Sequence, residues 1–222
     1  MKAFSVSKAH KTQLCLSRKI IQEDRLPKHV RTVAGVDVAY FENFAVGAAV
    51  VLEYDTLDTL EKQVAVCETK IPYIPTLLSF REIPPAMTAI KLLKLQPDLF
   101  LVDAQGFAHP YRCGFASHLG LILGKPTIGV AKNRLIGVPV ERNGETLLIH
   151  KGEVIGEAVT TKHGAKPIYV STGHMVSLKT AVKIAKHCAK GRIPEPTLRA
   201  HTLATQEKNR LLSQSKVNIK ET

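Results

Sequence analysis

The sequence predicts an α/β fold, a mixed sheet covered by helices, and three observations carry that prediction. Three β-like runs follow one another closely near residues 33–68. A short, wholly apolar run and a second short, mostly apolar one stand later in the chain, and helical apolar stripes separate and follow them. Closely spaced strands form an antiparallel meander, whereas apolar runs alternating with helices belong to buried, parallel-type strands. The 222 residues, 45% hydrophobic and 23% charged, are enough for a core without metal or disulfide staples.

Val33–Tyr40 alternates, with Val36, Val38 and Tyr40 on one face and Gly35, Asp37 and Ala39 on the other. Phe44–Tyr54 and Thr59–Glu68 supply the second and third strands. A helix is expected from Glu82 or Ile83 to about Gln96, its stripe being Ala86, Ala89, Ile90 and Leu93. Leu99–Val102 reads as a buried central strand, Gly114–Gly124 as a helix and Thr127–Val130 as another buried strand. Glu153–Val159 and Ile168–Val170 suggest a further strand pair. Ser177 caps a helix striped by Leu178, Ala181, Val182 and Ala185 and closed by Gly191, with Lys179, Lys183 and Lys186 on its outer face. Gln206–Thr222 is polar without a clear period and is expected to be a loosely held, flexible tail. Residues 1–222 therefore read as one domain.

Residues 1–31 hold eight Lys/Arg against two acids and residues 183–222 hold nine against three, while the middle of the chain is balanced. A neutral centre between basic flanks favours a polyanionic partner, because displaced counterions drive binding to phosphates. Anionic lipid competes for that role, but no lipidation motif or amphipathic anchor supports it. The longest strongly apolar stretch, Phe44–Leu52, is too short to cross a bilayer, and Met1–Lys8 lacks a signal-peptide core. Cys15, Cys67, Cys113 and Cys188 are scattered, which argues against a zinc knuckle or disulfide framework and fits a cytoplasmic setting.

Three acids occupy costly positions. Asp37 interrupts an apolar strand, Asp103 ends the run Leu99–Val102 at a strand mouth, and Glu82 precedes Pro84-Pro85. Clustered carboxylates persist where a divalent cation neutralises them, and oxygen ligands select Mg²⁺ or Mn²⁺ over zinc. Each acid also has a structural reading. Glu82 closes a capping box with Ser79, although prolines beyond the first turn weaken that idea. Asp103 can cap a turn, and Asp37 can pair with a buried cation. Taken together on a basic chain, the three point to metal-dependent phosphodiester chemistry.

Around these acids the sequence resembles the endonuclease V (deoxyinosine 3′ endonuclease) family. The matching segments are Val33-Ala34-Gly35-Val36-Asp37, Pro72-Tyr73-Ile74-Pro75, Ser79-Phe80-Arg81-Glu82, Pro97-Asp98 and Val102-Asp103-Ala104-Gln105-Gly106. Ala108-His109-Pro110, Gly114-Phe115-Ala116-Ser117-His118, Pro126–Lys132, Gly173-His174 and Arg192–Thr197 follow in the family's order. The resemblance implies an RNase H-like fold and a metal site of Asp37, Glu82 and Asp103, loaded with Mg²⁺ for which Mn²⁺ can substitute. It implies cleavage of the second phosphodiester bond 3′ of a deaminated purine in DNA, leaving 3′-hydroxyl and 5′-phosphate ends. Lys132 would then neutralise phosphate charge, and His201 would stand near the metal. Tyr73, on a proline-stiffened loop, would wedge into the base stack while the altered base turns into a pocket of main-chain groups around Leu78, Ala104, Gly106 and Gly120, beside His109.

Ala104, Thr76 and the order Leu198-Arg199 depart from the family pattern; none removes a carboxylate. The alternatives are the same chemistry on inosine in RNA and a non-catalytic nucleic-acid-binding module. No membrane partner is implied, and a monomer is the default.

Overall fold

Apolar residues on both sides of successive strands require a sheet buried on both faces, and that sheet organises the molecule. The computed structural model describes residues 4–69 and 71–220, with side chains described through residue 214. The chain begins with α1 (Val6–Ser17), then β1 (Thr32–Phe41), β2 (Phe44–Glu53) and β3 (Thr59–Glu68). Helix α2 (Leu78–Lys91), β4 (Leu99–Val102), α3 (Phe115–Leu123) and β5 (Thr127–Ala131) follow. The chain then forms β6 (Val138–Arg142), β7 (Glu145–His150), β8 (Glu153–Val159) and β9 (Ile168–His174), and ends in α4 (Leu178–His187) and α5 (Glu195–Lys220).

The nine strands of the described residues join in one sheet of order β3-β2-β1-β4-β5-β9-β8-β7-β6. β1, β2 and β3 form the antiparallel meander, and β1 pairs in parallel with β4, which pairs in parallel with β5. β9, β8, β7 and β6 extend the sheet antiparallel from β5. Alternation along β1 separates two cores. Val33 packs with Leu99, Leu101, Ala181 and Ala200, under α4 and α5. Ala34, Val36 and Val38 pack with Ala86, Ala89 and Phe115, under α2 and α3.

Four sequence expectations differ in detail. α2 starts at Leu78, a turn earlier than expected, so Pro84 and Pro85 lie inside it and its N-terminus has no side-chain cap. Ser79 therefore forms no capping box with Glu82; its hydroxyl meets His118 Nδ1 at 3.1 Å instead. The helix stops early because the Glu61 carboxylate takes the N–H groups of Lys94 and Leu95 at 2.9 Å each. α4 has the expected Ser177 cap, which accepts from the Thr180 N–H at 3.3 Å, but it ends at Cys188 rather than Gly191. α5 runs through the aperiodic segment from Gln206 as continuous helix to Lys220 rather than as a coil; residues 221–222 of the expected tail lie outside the described residues.

Helix α1 and the β6–β7 hairpin are additions. The hairpin was signalled by Asn143-Gly144, whose φ values of 52° and 79° suit the tight turns that follow strand twist. Its strands carry no apolar alternation because β6 is mostly exposed.

Candidate metal centre and adjoining cavity

The parallel pairing of β1 with β4 sets Val36 beside Val102, one residue before Asp37 and Asp103 respectively. The Asp103 N–H donates to the Val36 carbonyl at 3.0 Å, so the two aspartates are fixed by the sheet ladder itself. The third contributor arrives from α5. A Cβ on Gly35 would fall 1.7 Å from the Pro196 carbonyl oxygen, and only glycine lets the start of α5 lie so close on β1. Five residues on, His201 Nδ1 meets Asp37 Oδ2 at 2.7 Å and lies 4.0 Å from Asp103 Oδ2. Ligand atoms of Asp37, Asp103 and His201 all fall within 4.8 Å of one another.

Lys132 stands immediately after β5, the next parallel strand, and its Nζ donates to Asp103 Oδ2 at 2.5 Å. Arg192 steadies that segment, donating from Nη2 to the Lys132 carbonyl at 2.8 Å and from Nε to the Lys166 carbonyl at 2.9 Å. Glu82 approaches from α2, in the opposite helical layer, and stands outside the close trio. Its carboxyl is buried, Oε2 has no hydrogen-bond partner, and burial together with Asp37 and Asp103 holds its pKa well above the usual carboxylate range. Burial and Asp103 likewise push Asp37 up to about 6, against the pull of His201.

Three buried or half-buried acids against one lysine form an electronegative pocket on a basic protein. An orphaned carboxylate oxygen and a hard oxygen-and-imidazole donor set fit a divalent cation.

Beside this centre opens a cavity of about 450 Å³ whose walls come from the loops after β3, β4 and β5. Tyr73, Leu78, Ala104 and His109 line it, as do Asp103 and Lys132, so the cavity opens onto the metal centre. Tyr73 is 67% exposed, an aromatic side chain on the cavity lining. His109 is buried, and burial pushes its pKa down to about 4, so the ring is neutral; Nδ1 accepts from the Tyr111 N–H at 3.2 Å. Gly106 and Gly120 are not among the residues that line the cavity. Gly106 donates its N–H to Ser171 Oγ at 3.0 Å, and a Cβ there would lie 2.2 Å from the Thr172 carbonyl oxygen. Gly120 lets α3 approach Thr127, and its carbonyl accepts from Gly124 and Lys125 in the helix's closing turn.

Sequence reasoning missed Ser79, Gln105, Asn133 and Arg134 on the cavity wall. Their signal was positional, since each lies within two residues of one already singled out at a strand mouth or helix start.

The family model described as Endonuclease V matches residues 15–202. The chain belongs to the endonuclease V family. It is 47% identical to the endonuclease V of Thermofilum pendens over 205 residues, covering 91% of this chain and 88% of the relative. It is 44% identical to that of Rippkaea orientalis, over 96% and 95% of the two chains. The crystal structure of endonuclease V from Streptomyces avermitilis superposes with a TM-score of 0.86 at 38% identity, over 95% and 96% of the chains. Ciona intestinalis endonuclease V, solved as a variant with a 23mer DNA containing an inosine followed by a ribo-adenosine, superposes equally well, with a TM-score of 0.86 at 35% identity, over 95% of this chain and all of that one. Like other endonucleases V, this chain is a nuclease, and its acidic cluster can hold a metal ion. No helix among the described residues is long and apolar enough to cross a membrane.

Proposed function

We propose that this endonuclease V recognises deoxyinosine and other deaminated purines in DNA and hydrolyses the second phosphodiester bond on the 3′ side, leaving 3′-hydroxyl and 5′-phosphate ends. The observation that carries this reading is the juxtaposition of the acid–imidazole trio with a cavity roomy enough for a base and lined by Tyr73. The Ciona relative, captured on inosine-containing DNA, supports the substrate class. Mg²⁺ is the proposed resident ion, with Mn²⁺ able to replace it, held by Asp37, Asp103 and Glu82 with His201 beside them. When bound, such an ion supplies Lewis-acid activation of water and neutralises charge at the scissile phosphate.

The chain's own groups divide the remaining work. Asp37 holds His201 by Nδ1, which leaves Nε2 on a half-exposed ring to take or return a proton at the reacting oxygens. Lys132, tethered to Asp103, presents a fixed positive charge to the phosphate without reorganisation. Tyr73 fills the gap left when the altered base leaves the stack, and the cavity behind it receives that base, with Leu78 and Ala104 on the wall and the neutral His109 beside them. Gly106 and Gly120 act from behind that wall, by allowing close packing. The chain is proposed to act as a single domain and a monomer in the cytoplasm, on DNA and not on membranes.

One observation favours a second reading. The Ciona complex carries a ribose 3′ of the inosine, and on the second reading inosine-containing RNA is the preferred strand of this chain. End-labelled DNA with inosine, the same DNA with one ribose 3′ of the inosine, and an undamaged control, each with Mg²⁺, test both readings. Cutting of inosine DNA above the control supports the first, and strong dependence on the added 2′-hydroxyl supports the second. Equal cutting of all three refutes both.

A further inference from the structure

Helix α1 is an odd helix for its place. It has no apolar stripe, and its buried residues are Ala9 and the polar Gln13. What it directs inward is hydrogen bonding, and the bonds converge on one residue of the cavity rim. Gln13, fully buried, donates from Nε2 to the Thr76 carbonyl at 2.8 Å. His10 Nε2 meets Thr76 Oγ1 at 3.2 Å, and the His10 ring stacks on Tyr111 at 4.3 Å, 19° from parallel.

Thr76 needs such restraint. Its φ is +72°, a left-handed conformation that a β-branched residue rarely adopts. The Leu77 N–H donates to the Ile74 carbonyl at 3.0 Å, closing residues 74–77 into one turn. Pro72 and Pro75 lock their own φ angles. A segment so stiffened transmits the position of Thr76 to Tyr73. The same Gln13 amide donates to the Cys113 carbonyl at 3.1 Å, one residue before Gly114, which also lines the cavity. A single side chain thus ties the Tyr73 loop to the segment that leads into Gly114 of the cavity lining.

We propose that His10 and Gln13 are positioning residues: α1 is a clamp that sets Tyr73 at the cavity mouth and so fixes how well the protein extracts an altered base from a duplex. This rests on the reading of Tyr73 as the wedge. A loose wedge costs most where the base must be pulled out of a paired stack and little where the strand is already single.

The experiment compares cleavage of inosine in duplex DNA, inosine in the same sequence as a single strand, and undamaged duplex, with Mg²⁺. Gln13→Met keeps the volume and removes the amide. The clamp predicts a drop of about tenfold or more in kcat/KM on duplex inosine, with single-stranded inosine within about twofold of the unsubstituted protein. Tyr73→Ala should show the same pattern, and the double substitution should be no worse than Tyr73→Ala alone. His10→Phe, which keeps the ring against Tyr111, reads out the same ratio should Gln13→Met fail to fold. If Tyr73→Ala lowers the duplex-to-single-strand ratio and neither α1 substitution does, the clamp is wrong and the wedge stands. Equal losses on both inosine substrates make α1 merely structural. No preference for inosine in the unsubstituted protein overturns the functional reading itself.

Discussion

Gly35→Ala should separate the imidazole from the two aspartates while leaving the aspartates in place. The added Cβ would sit 1.7 Å from the Pro196 carbonyl oxygen. An ordinary contact requires roughly twice that separation, so the start of α5 must retreat by about 1.5–2 Å. Asp37 and Asp103 do not move with it, because they ride on β1 and β4 and are joined through the Val36 carbonyl. His201 does move, and its 2.7 Å bond to Asp37 opens beyond hydrogen-bond range. Misplacement on this scale costs about 10²-fold in turnover, and forcing a methyl into the close β1–α5 packing costs about 1–3 kcal/mol of stability. Cleavage of inosine DNA at saturating Mg²⁺, with thermal melts alongside, measures both. The decisive comparison is the double-mutant cycle with His201→Ala. If Gly35→Ala acts through the histidine, adding it to His201→Ala changes kcat little further. Independent, multiplying effects refute the reasoning, and so does undiminished turnover in a folded Gly35→Ala protein.

Three other perturbations probe separate parts of the structure. Lys132→Ala removes the charge tethered to Asp103 and should lower kcat by about 10²–10³-fold with KM nearly unchanged; a change confined to KM would assign Lys132 to substrate binding alone. Glu82→Gln removes the cost of burying an ionisable carboxyl beside Asp37 and Asp103, so in EDTA the variant should melt at a higher temperature than the parent while cleaving poorly; a lower melting temperature contradicts the account of strain at the site. Asp24 accepts hydrogen bonds from the Ser177 N–H at 2.7 Å and the Thr180 hydroxyl at 2.7 Å; burial raises its pKa, and these bonds more than offset that and leave it lowered. Its contribution is therefore present above the ordinary aspartate pKa and fades as pH falls through the lowered value, so Asp24→Asn should lower the melting temperature at pH 7 and lose its effect in strong acid.

The acids were legible because an ionisable group inside an apolar strand contradicts its surroundings, and strand pairing then dictated where Asp37 and Asp103 meet. Glu82 was legible as anomalous, but not its distance from the trio, which depends on how α2 lies on the opposite face of the sheet. The meander and the buried strands followed from period and apolarity. Helix α1 and strand β6 did not, because the first buries only Ala9 and Gln13 and the second is mostly exposed; such elements are held by contacts with the rest of the fold and leave no stripe to read. The cavity had no local signature at all. It exists only where the loops after β3, β4 and β5 face one another, a property of topology rather than of any segment.

The charge pattern acquires a different meaning in the fold. Two basic flanks around a neutral centre suggest attraction to phosphate, but the described helices of both flanks also build the site. The first folds into α1, whose buried amide reaches the cavity rim, with Lys8, Lys11 and Arg18 left exposed on the helix. The second begins within α4 and forms α5, and α5 carries His201 to Asp37 while Lys183 and Lys186 stay exposed on α4. The segments that attract a polyanion therefore also assemble the acidic centre that would cut it. Attraction and chemistry need opposite charge, and the fold reconciles them by burying the acids at the sheet while leaving the cations on the surrounding helices. High salt should accordingly weaken substrate capture, raising KM, while kcat at saturation changes far less, because screening acts on the exposed cations and not on the buried centre. A fall in kcat as steep as the rise in KM would mean that the basic helices take part in the chemical step.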